Sequence, residues 1–519
     1  MGRLLLCAWL CCGCISRLPA QGWPQGGGPG GEFVTQGQAP AEWSVVQDRN
    51  IAWVQPLPET GQSTVVISGD RLFYTRYAVL GGPAEIASEI VACCADAKTG
   101  QLLWSQTIPA GHPLRVSGCF SDSTSPPPVT DGKRVCFFNA SGAVVCFDFE
   151  GRQLWRRETM AVGRSQPFLV HGRVVYTRQL IMPEEGKFGH EHRDAPHELW
   201  TQLEALDLTT GEAVWSSDCG VNMGAIPLPQ KLSDGRVVIV VGRGGGHSPP
   251  ERPEGVSMVD GRTGETLWTL PLDNFMSTQL YPVVNDQTLV FYGPEHLWVD
   301  LSGKISRRVN FCTDAVVRKW DGGQYVNAVE TLKYPTGRGR AITQQSNLRI
   351  GDYHYFRAYQ HPYLGRVQIR SGKVEYLQLP VQLVRKPGEE EVRVWGLKDA
   401  EFIPADMTNA DGHVVMGDRR SRTNTWGHHA SPLMTVVGQH LYLPTMSGTV
   451  YCIRWDAEQL HEEALLGISD LGPVGPTWTR ASISYDSGRL FTRTIRNLIC
   501  IEAERVTARS AVSQPSNSN

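Results

Sequence analysis

After its first twenty residues the 519-residue chain has no apolar run approaching the roughly 20 residues of a membrane-crossing helix, which argues against a helical membrane protein. It also lacks a basic block. Its 49 Lys and Arg and 52 Asp and Glu are spread along the chain for a net charge of -3, so no stretch would neutralise a run of phosphates, and nucleic acid is not expected as a partner. Beyond residue 20 there is no C-x-x-C and no C-x-x-C-H, which removes a zinc ribbon and covalently attached haem. G-x-S-x-G and H-E-x-x-H are missing too, leaving no nucleophile elbow and no zincin helix. Of 13 cysteines, Cys7, Cys11, Cys12 and Cys14 lie in the first twenty residues; the nine that remain are odd in number and irregular in spacing, unlike a disulfide framework.

What is present points to strands. With 54 Gly, 33 Pro and 15 Trp, and with Val, Ile, Tyr and Phe in short bursts, the composition favours many short strands joined by tight turns, an all-β protein. Arg3, an apolar run from Leu4 to Ile15 and then Leu18-Pro19-Ala20 have the layout of a secretory signal peptide over residues 1–20, so export to a periplasm or out of the cell is expected. Gly13-Cys14 offers a lipid-anchored alternative, although Cys11 stands where a lipidation signal usually has Leu. Residues 21–41, rich in Gly and Gln, read as a flexible lead, and 504–519 as a disordered tail.

One pattern repeats between those ends. Asp96 to Trp104 (through Gly100), Asp207 to Trp215 (through Gly211) and Asp260 to Trp268 (through Gly264) share D-x-x-T-G-x-x-x-W; a shortened copy runs from Asp148 to Trp155, and a decayed one starts at Asp300. The aspartates are about 52, 59, 53 and 40 residues apart, each step enough for a four-stranded propeller blade. Asp accepts amides two and three residues on, Gly supplies a positive φ, and the next strand ends in a Trp able to cover the neighbouring blade. The last repeat ends at Leu498-Ile-Cys-Ile-Glu-Ala503 without a fourth strand, whereas Asn50-Ile-Ala-Trp53 near the other end resembles an orphan fourth strand. The N-terminal strand therefore completes the C-terminal blade and leaves no open edge there. Seven blades are visible. The irregular stretch 315–400 supplies strands at 350–356 and 365–379 for an eighth, so eight is the expected count and seven the alternative.

These repeats resemble the pyrroloquinoline-quinone (PQQ) enzyme repeat, and residues 42–503 are similar to the PQQ-binding-like β-propeller superfamily. The resemblance implies a ring with a central funnel. It does not choose between quinoprotein dehydrogenases, which need PQQ, a Ca²⁺ with oxygen ligands and a carboxylate base, and non-catalytic propellers. In the dehydrogenases a vicinal cysteine pair forms a disulfide over the cofactor; the adjacent Cys93-Cys94 is the counterpart here, with strand packing as the competing role. No tryptophan-rich cofactor floor and no Asp-centred catalytic loop is recognisable. An exported, non-enzymatic propeller without cofactor, binding a protein, a glycan or a small ligand on one rim, is the expected function, and a PQQ- and calcium-dependent alcohol or sugar dehydrogenase the alternative.

Other constellations are local. His190, His192 and His197, in an insertion between Gln179 and Leu203, form the densest group of potential metal ligands, against the plain reading of a polar loop. His428 and His429, just before a blade's first strand, are candidate ligand contacts at the funnel mouth. The glycines of 242–246 precede Ser-Pro-Pro rather than a helix and read as a loop. Asn139-Ala-Ser141 matches a glycosylation sequon. Cys136 and Cys146 flank the same hairpin turn; a cross-strand disulfide and two small buried apolar residues both fit.

Overall fold

The recurring turn is built as its residues dictate. In the computed structural model, which describes residues 22–117, 122–163, 166–180, 196–222, 224–244, 252–275, 277–332, 346–358, 361–400, 408–415, 426 and 431–503, one Asp96 carboxylate oxygen accepts the amides of Lys98 and Thr99 at 2.9 and 2.8 Å. Gly100 closes the turn at φ 73°. Asp207 and Asp260 repeat this bonding, and the backbone amides of Thr210 and Thr209 hold the Asp207 carboxyl below its ordinary range.

Each turn joins the third and fourth strands of an antiparallel blade, and eight such blades surround a common axis. Blade 1 is Val66–Ser68, Arg71–Tyr77, Ile90–Asp96 and Leu102–Ile108; blade 2 is Val129–Thr130, Arg134–Asn139, Ala143–Asp148 and Gln153–Glu158. Blade 3 is Phe168–Val170, Arg173–Gln179, Gln202–Asp207 and Ala213–Ser216; blade 4 is Leu228–Lys231, Val237–Arg243, Gly255–Asp260 and Thr266–Pro271. Blade 5 is Val283–Val284, Gln287–Tyr292, Glu295–Val299 and Ile305–Asn310; blade 6 is Asn347–Ile350, Tyr353–Arg357, Tyr363–Gln368 and Val374–Gln378. Blade 7 is Thr435–Val437, His440–Pro444, Thr449–Arg454 and Leu465–Asp470. Blade 8 joins Ser484–Asp486, Arg489–Arg493 and Asn497–Glu502 to Ile51–Pro56, with Trp53 opposite Cys500, so the expected N-terminal closure is present. The first strands are innermost: that of blade 1 touches those of blades 2 and 8.

The core lies between blades, because alternate residues of each central strand point to opposite neighbours. Phe137, Val145 and Phe147 pack towards blade 1, whereas Cys136, Phe138 and Cys146 pack towards blade 3. The repeat tryptophans lock adjacent blades together. Trp53, Trp104, Trp155, Trp215 and Trp268 lie over Gly100, Gly151, Gly211, Gly264 and Gly303 of the following blade, and a Cβ on Gly211 would sit 2.6 Å from the Trp155 ring. Trp155 also donates to Leu208 O at 3.1 Å, as Trp104 does to Phe149 O at 2.8 Å. Between blades 5 and 6 an arginine takes this place: Arg307 Nη1 donates to Ile369 O and Arg370 O, both at 3.0 Å.

The reading of 21–41 as a flexible lead does not describe the packing of residues 22–41. Trp23 is buried and its O accepts Ile67 N of blade 1; Pro24 O accepts Thr130 N of blade 2, and Gln25 Oε1 accepts Leu169 N of blade 3. Glu32 accepts Gln230 Nε2 of blade 4, and Val34–Thr35 runs parallel to Val436–Val437 of blade 7. The glycines permit this path: a Cβ on Gly27 would meet Gly31 O at 2.3 Å, and one on Gly37 would meet the Tyr485 hydroxyl at 2.2 Å. Composition alone mistook a close-packed strap for a loose one. Residues 1–20 and 504–519 lie outside the described residues.

Candidate interaction site

Both ends of the axis carry segments of the chain itself. The 22–41 strap crosses the end where first strands turn into second strands, with Gly438 N donating to Thr35 O at 2.9 Å. At the opposite end the connection after blade 6 reaches blade 1: Ala84 N donates to Val414 O at 3.1 Å, and Asn409 Nδ2 donates to Glu59 Oε2 at 2.9 Å. The buried Trp426 then returns to blade 6, donating to His361 O at 2.7 Å.

The irregular 315–400 stretch holds more than the eighth blade. Ala315–Trp320 and Tyr325–Glu330 form a hairpin whose first strand runs parallel to Val374–Gln378, which widens blade 6 to six strands. Asp321 sets its turn by accepting Gly323 N and Gln324 N, both at 2.9 Å. Ala315 and Val317 face inward among Phe311, Phe356 and Tyr376. Val316 and Val329, direct cross-strand partners, face solvent at 48% and 69% exposure. At the tip Trp320 stacks on Trp395 at 4.7 Å with 5° between planes, and Tyr325 meets both edge-on. Arg318 clamps the hairpin to blade 7 by donating through Nε to Glu462 Oε2 at 2.6 Å and through Nη2 to Oε1, and this pairing holds the Glu462 carboxyl below its usual range. The outer strand, Tyr325–Glu330, pairs only with Ala315–Trp320 among the described residues, and its other side is the edge of the sheet there.

The residues singled out from sequence are not brought together. Cys93 and Cys94 occupy the third strand of blade 1, both fully buried, Cys93 in the core shared with blade 8 and Cys94 in the core shared with blade 2. Burial pushes their thiols up, to about 11 and about 12. They point to opposite faces of the sheet and do not fit a paired cover over a quinone. His190, His192, His428 and His429 lie outside the described residues. His197 is exposed in the short helix His197–Leu199, with a ring nitrogen 3.0 Å from Asp218 O. Asn139 of the sequon is buried and donates to Ser88 O and Ile108 O, so in the folded chain it is no glycan acceptor. Sequence reasoning missed the 315–330 hairpin because its alternation departs from the repeat; the Trp320-Asp-Gly-Gly turn was the available signal. It also missed His461, Glu462 and Glu463, a group of three potential ligands, in which both Glu462 oxygens are taken by Arg318.

Blade number, closure and tryptophan docking define a PQQ-like β-propeller. The sequence profile of the family described as outer membrane protein assembly factor BamB matches residues 41–202 and 201–309, and the chain belongs to that family. No curated protein matches the sequence. Among solved structures, a europium-containing methanol dehydrogenase is similar at 11% identity over 93% of this chain and 91% of its own, with a TM-score of 0.52. The quinohemoprotein alcohol dehydrogenase ADHIIG from Pseudomonas putida HK5 is similar at 10% identity over 96% and 82%, TM-score 0.51, and the quinohemoprotein alcohol dehydrogenase from Comamonas testosteroni at 12% over 96% and 83%, TM-score 0.50. At these identities the likeness concerns the fold.

Proposed function

We propose that this chain is an exported, non-catalytic propeller that binds a protein partner at the outer edge of blade 6. The observation that carries this reading is the added hairpin: it extends the repeat outward, exposes the Val316–Val329 pair, and ends in a strand that, among the described residues, is paired along one side alone. Membership of a family described as an assembly factor agrees with it, and the apolar run at 4–15 is the basis for export. The dehydrogenase reading draws on the shared fold. Against it, Cys93 and Cys94 are buried on opposite sheet faces. Photo-crosslinking tests the binding surface. A photoreactive residue at 316 or 329 is expected to give the same discrete adduct in extracts of the source cell, while one at the exposed Val214 of blade 3 gives none. Equal labelling from all three positions, or from none, would overturn the proposal.

A further inference from the structure

The hairpin of blade 2 places two sulfurs face to face. In its register Cys136 stands directly opposite Cys146, and both side chains point into the same core, among Val129, Val144, Trp155 and Val174. Among the eight described cysteines, all of them buried thiols here, no other two are register partners: Cys93 and Cys94 are adjacent but diverge, Cys452 faces Tyr442 and Gly467, and Cys500 faces Phe491 and Trp53. Directly opposed residues of an antiparallel pair have Cα atoms about 4.5 or 5.5 Å apart, both inside the range of roughly 4.4–6.8 Å that a disulfide bridges. The turn between them is tight, with Gly142 N donating to Asn139 O at 2.9 Å, so the two sulfurs meet as soon as this hairpin forms.

We infer that Cys136 and Cys146 are a modification site, closed as a cross-strand disulfide when the chain folds in an oxidising compartment. The oxidant is an external disulfide. The Cys136 thiolate, its proton lost to water while the hairpin is still open, attacks one sulfur of that disulfide; a mixed disulfide forms and one oxidant thiolate leaves. The Cys146 thiolate then attacks Cys136 Sγ, the Cys136–Cys146 bond forms, and the second oxidant thiolate leaves. Two thiols are oxidised and one disulfide is reduced to two thiols. Timing matters, since in the assembled ring burial pushes the Cys136 thiol well up and leaves little thiolate to react. Once blade 3 has packed over it, the bond is shielded from exchange. This inference is independent of the partner proposed above.

The test uses residues 21–519, refolded in a mixture of oxidised and reduced glutathione or in reduced glutathione alone, then unfolded in an alkylating agent and digested with trypsin. Both cysteines fall in one peptide, 135–152, since Arg134 and Arg152 bound it with no Lys or Arg between. The expected peptide from the oxidising arm is two hydrogens lighter than the dithiol and unalkylated, while Cys93, Cys94, Cys312, Cys452 and Cys500 are alkylated. The oxidised protein should melt above the reduced one, and the difference should vanish in the Cys136→Ala, Cys146→Ala double variant. A doubly alkylated 135–152 peptide from protein that refolds in the oxidising arm would overturn the inference, as would an equal melting difference in the double variant.

Discussion

Replacing Gly211 by Ala measures how strongly the docked tryptophans hold the blades together, because blade 3 contains its own control. Gly211 and Gly172 have nearly the same positive φ, 75° and 73°, but differ in what a Cβ would meet. At Gly172 there is nothing within 4 Å; at Gly211 the Trp155 ring is 2.6 Å away. Gly172→Ala should therefore cost only the left-handed strain of a non-glycine residue, about 1–2 kcal/mol. Gly211→Ala carries the same strain and must also displace an indole held by its bond to Leu208 O, an overpacking cost of about 1–3 kcal/mol more. Urea unfolding followed by tryptophan fluorescence gives both midpoints. If the two variants unfold together, indole docking contributes nothing to cohesion between blades, and the physical reading of the repeat is wrong.

Asp470 of blade 7 is the second lever. Its carboxylate accepts Val45 N, Val46 N and Ser44 Oγ and pairs at 3.1 Å with the buried Arg385, which also pairs with Glu42 and Glu391, so Asp470→Ala strips partners chiefly from the 44–46 turn and should cost about 1–3 kcal/mol, with new proteolytic cleavage near 42–50. Acid should weaken the fold through His296 and His354, which are bonded to each other at 2.8 Å and fully buried between blades 5 and 6. Burial, with Arg307 nearby, holds His296 down to about 3, and burial, His296 and Arg349 hold His354 well below the ordinary value of 6.5. The unfolded chain thus binds more protons than the folded one, and stability falls as pH drops below 6.5, by up to about 1.4 kcal/mol per pH unit for each histidine; His296→Gln should flatten that slope in urea midpoints between pH 7 and pH 5. Val329→Lys puts a charge on an exposed edge residue and should abolish the crosslinked adduct with a change of less than about 0.5 kcal/mol in stability.

The ring was legible in the sequence because its turns are local. Asp96, Gly100 and Trp104 act within nine residues, and Asn50-Ile-Ala-Trp53 carries the pattern of a fourth strand in its own residues, which pair with Asn497–Glu502. Less was legible where structure depends on distant partners. The strap at 22–41 is glycine-rich because it passes close to the inner strands of several blades, and composition cannot distinguish that from looseness. The 315–330 hairpin is held by Val374–Gln378 and by Glu462, far along the chain, and its valines acquire meaning only when Val316 and Val329 are seen side by side. Cys93 and Cys94 mislead in the other direction, since neighbours in sequence diverge on a strand while Cys136 and Cys146, ten positions apart, meet.

The central claim, that this propeller binds rather than catalyses, is tested most directly by titrating residues 21–519 with PQQ, with and without Ca²⁺, following tryptophan quenching and then dye-linked oxidation of alcohols and sugars. The account predicts no saturable quenching up to ~100 μM PQQ, a range that reveals any site of micromolar affinity, and no turnover. Calcium-dependent binding followed by oxidation of an alcohol or sugar would contradict it and make the chain a dehydrogenase.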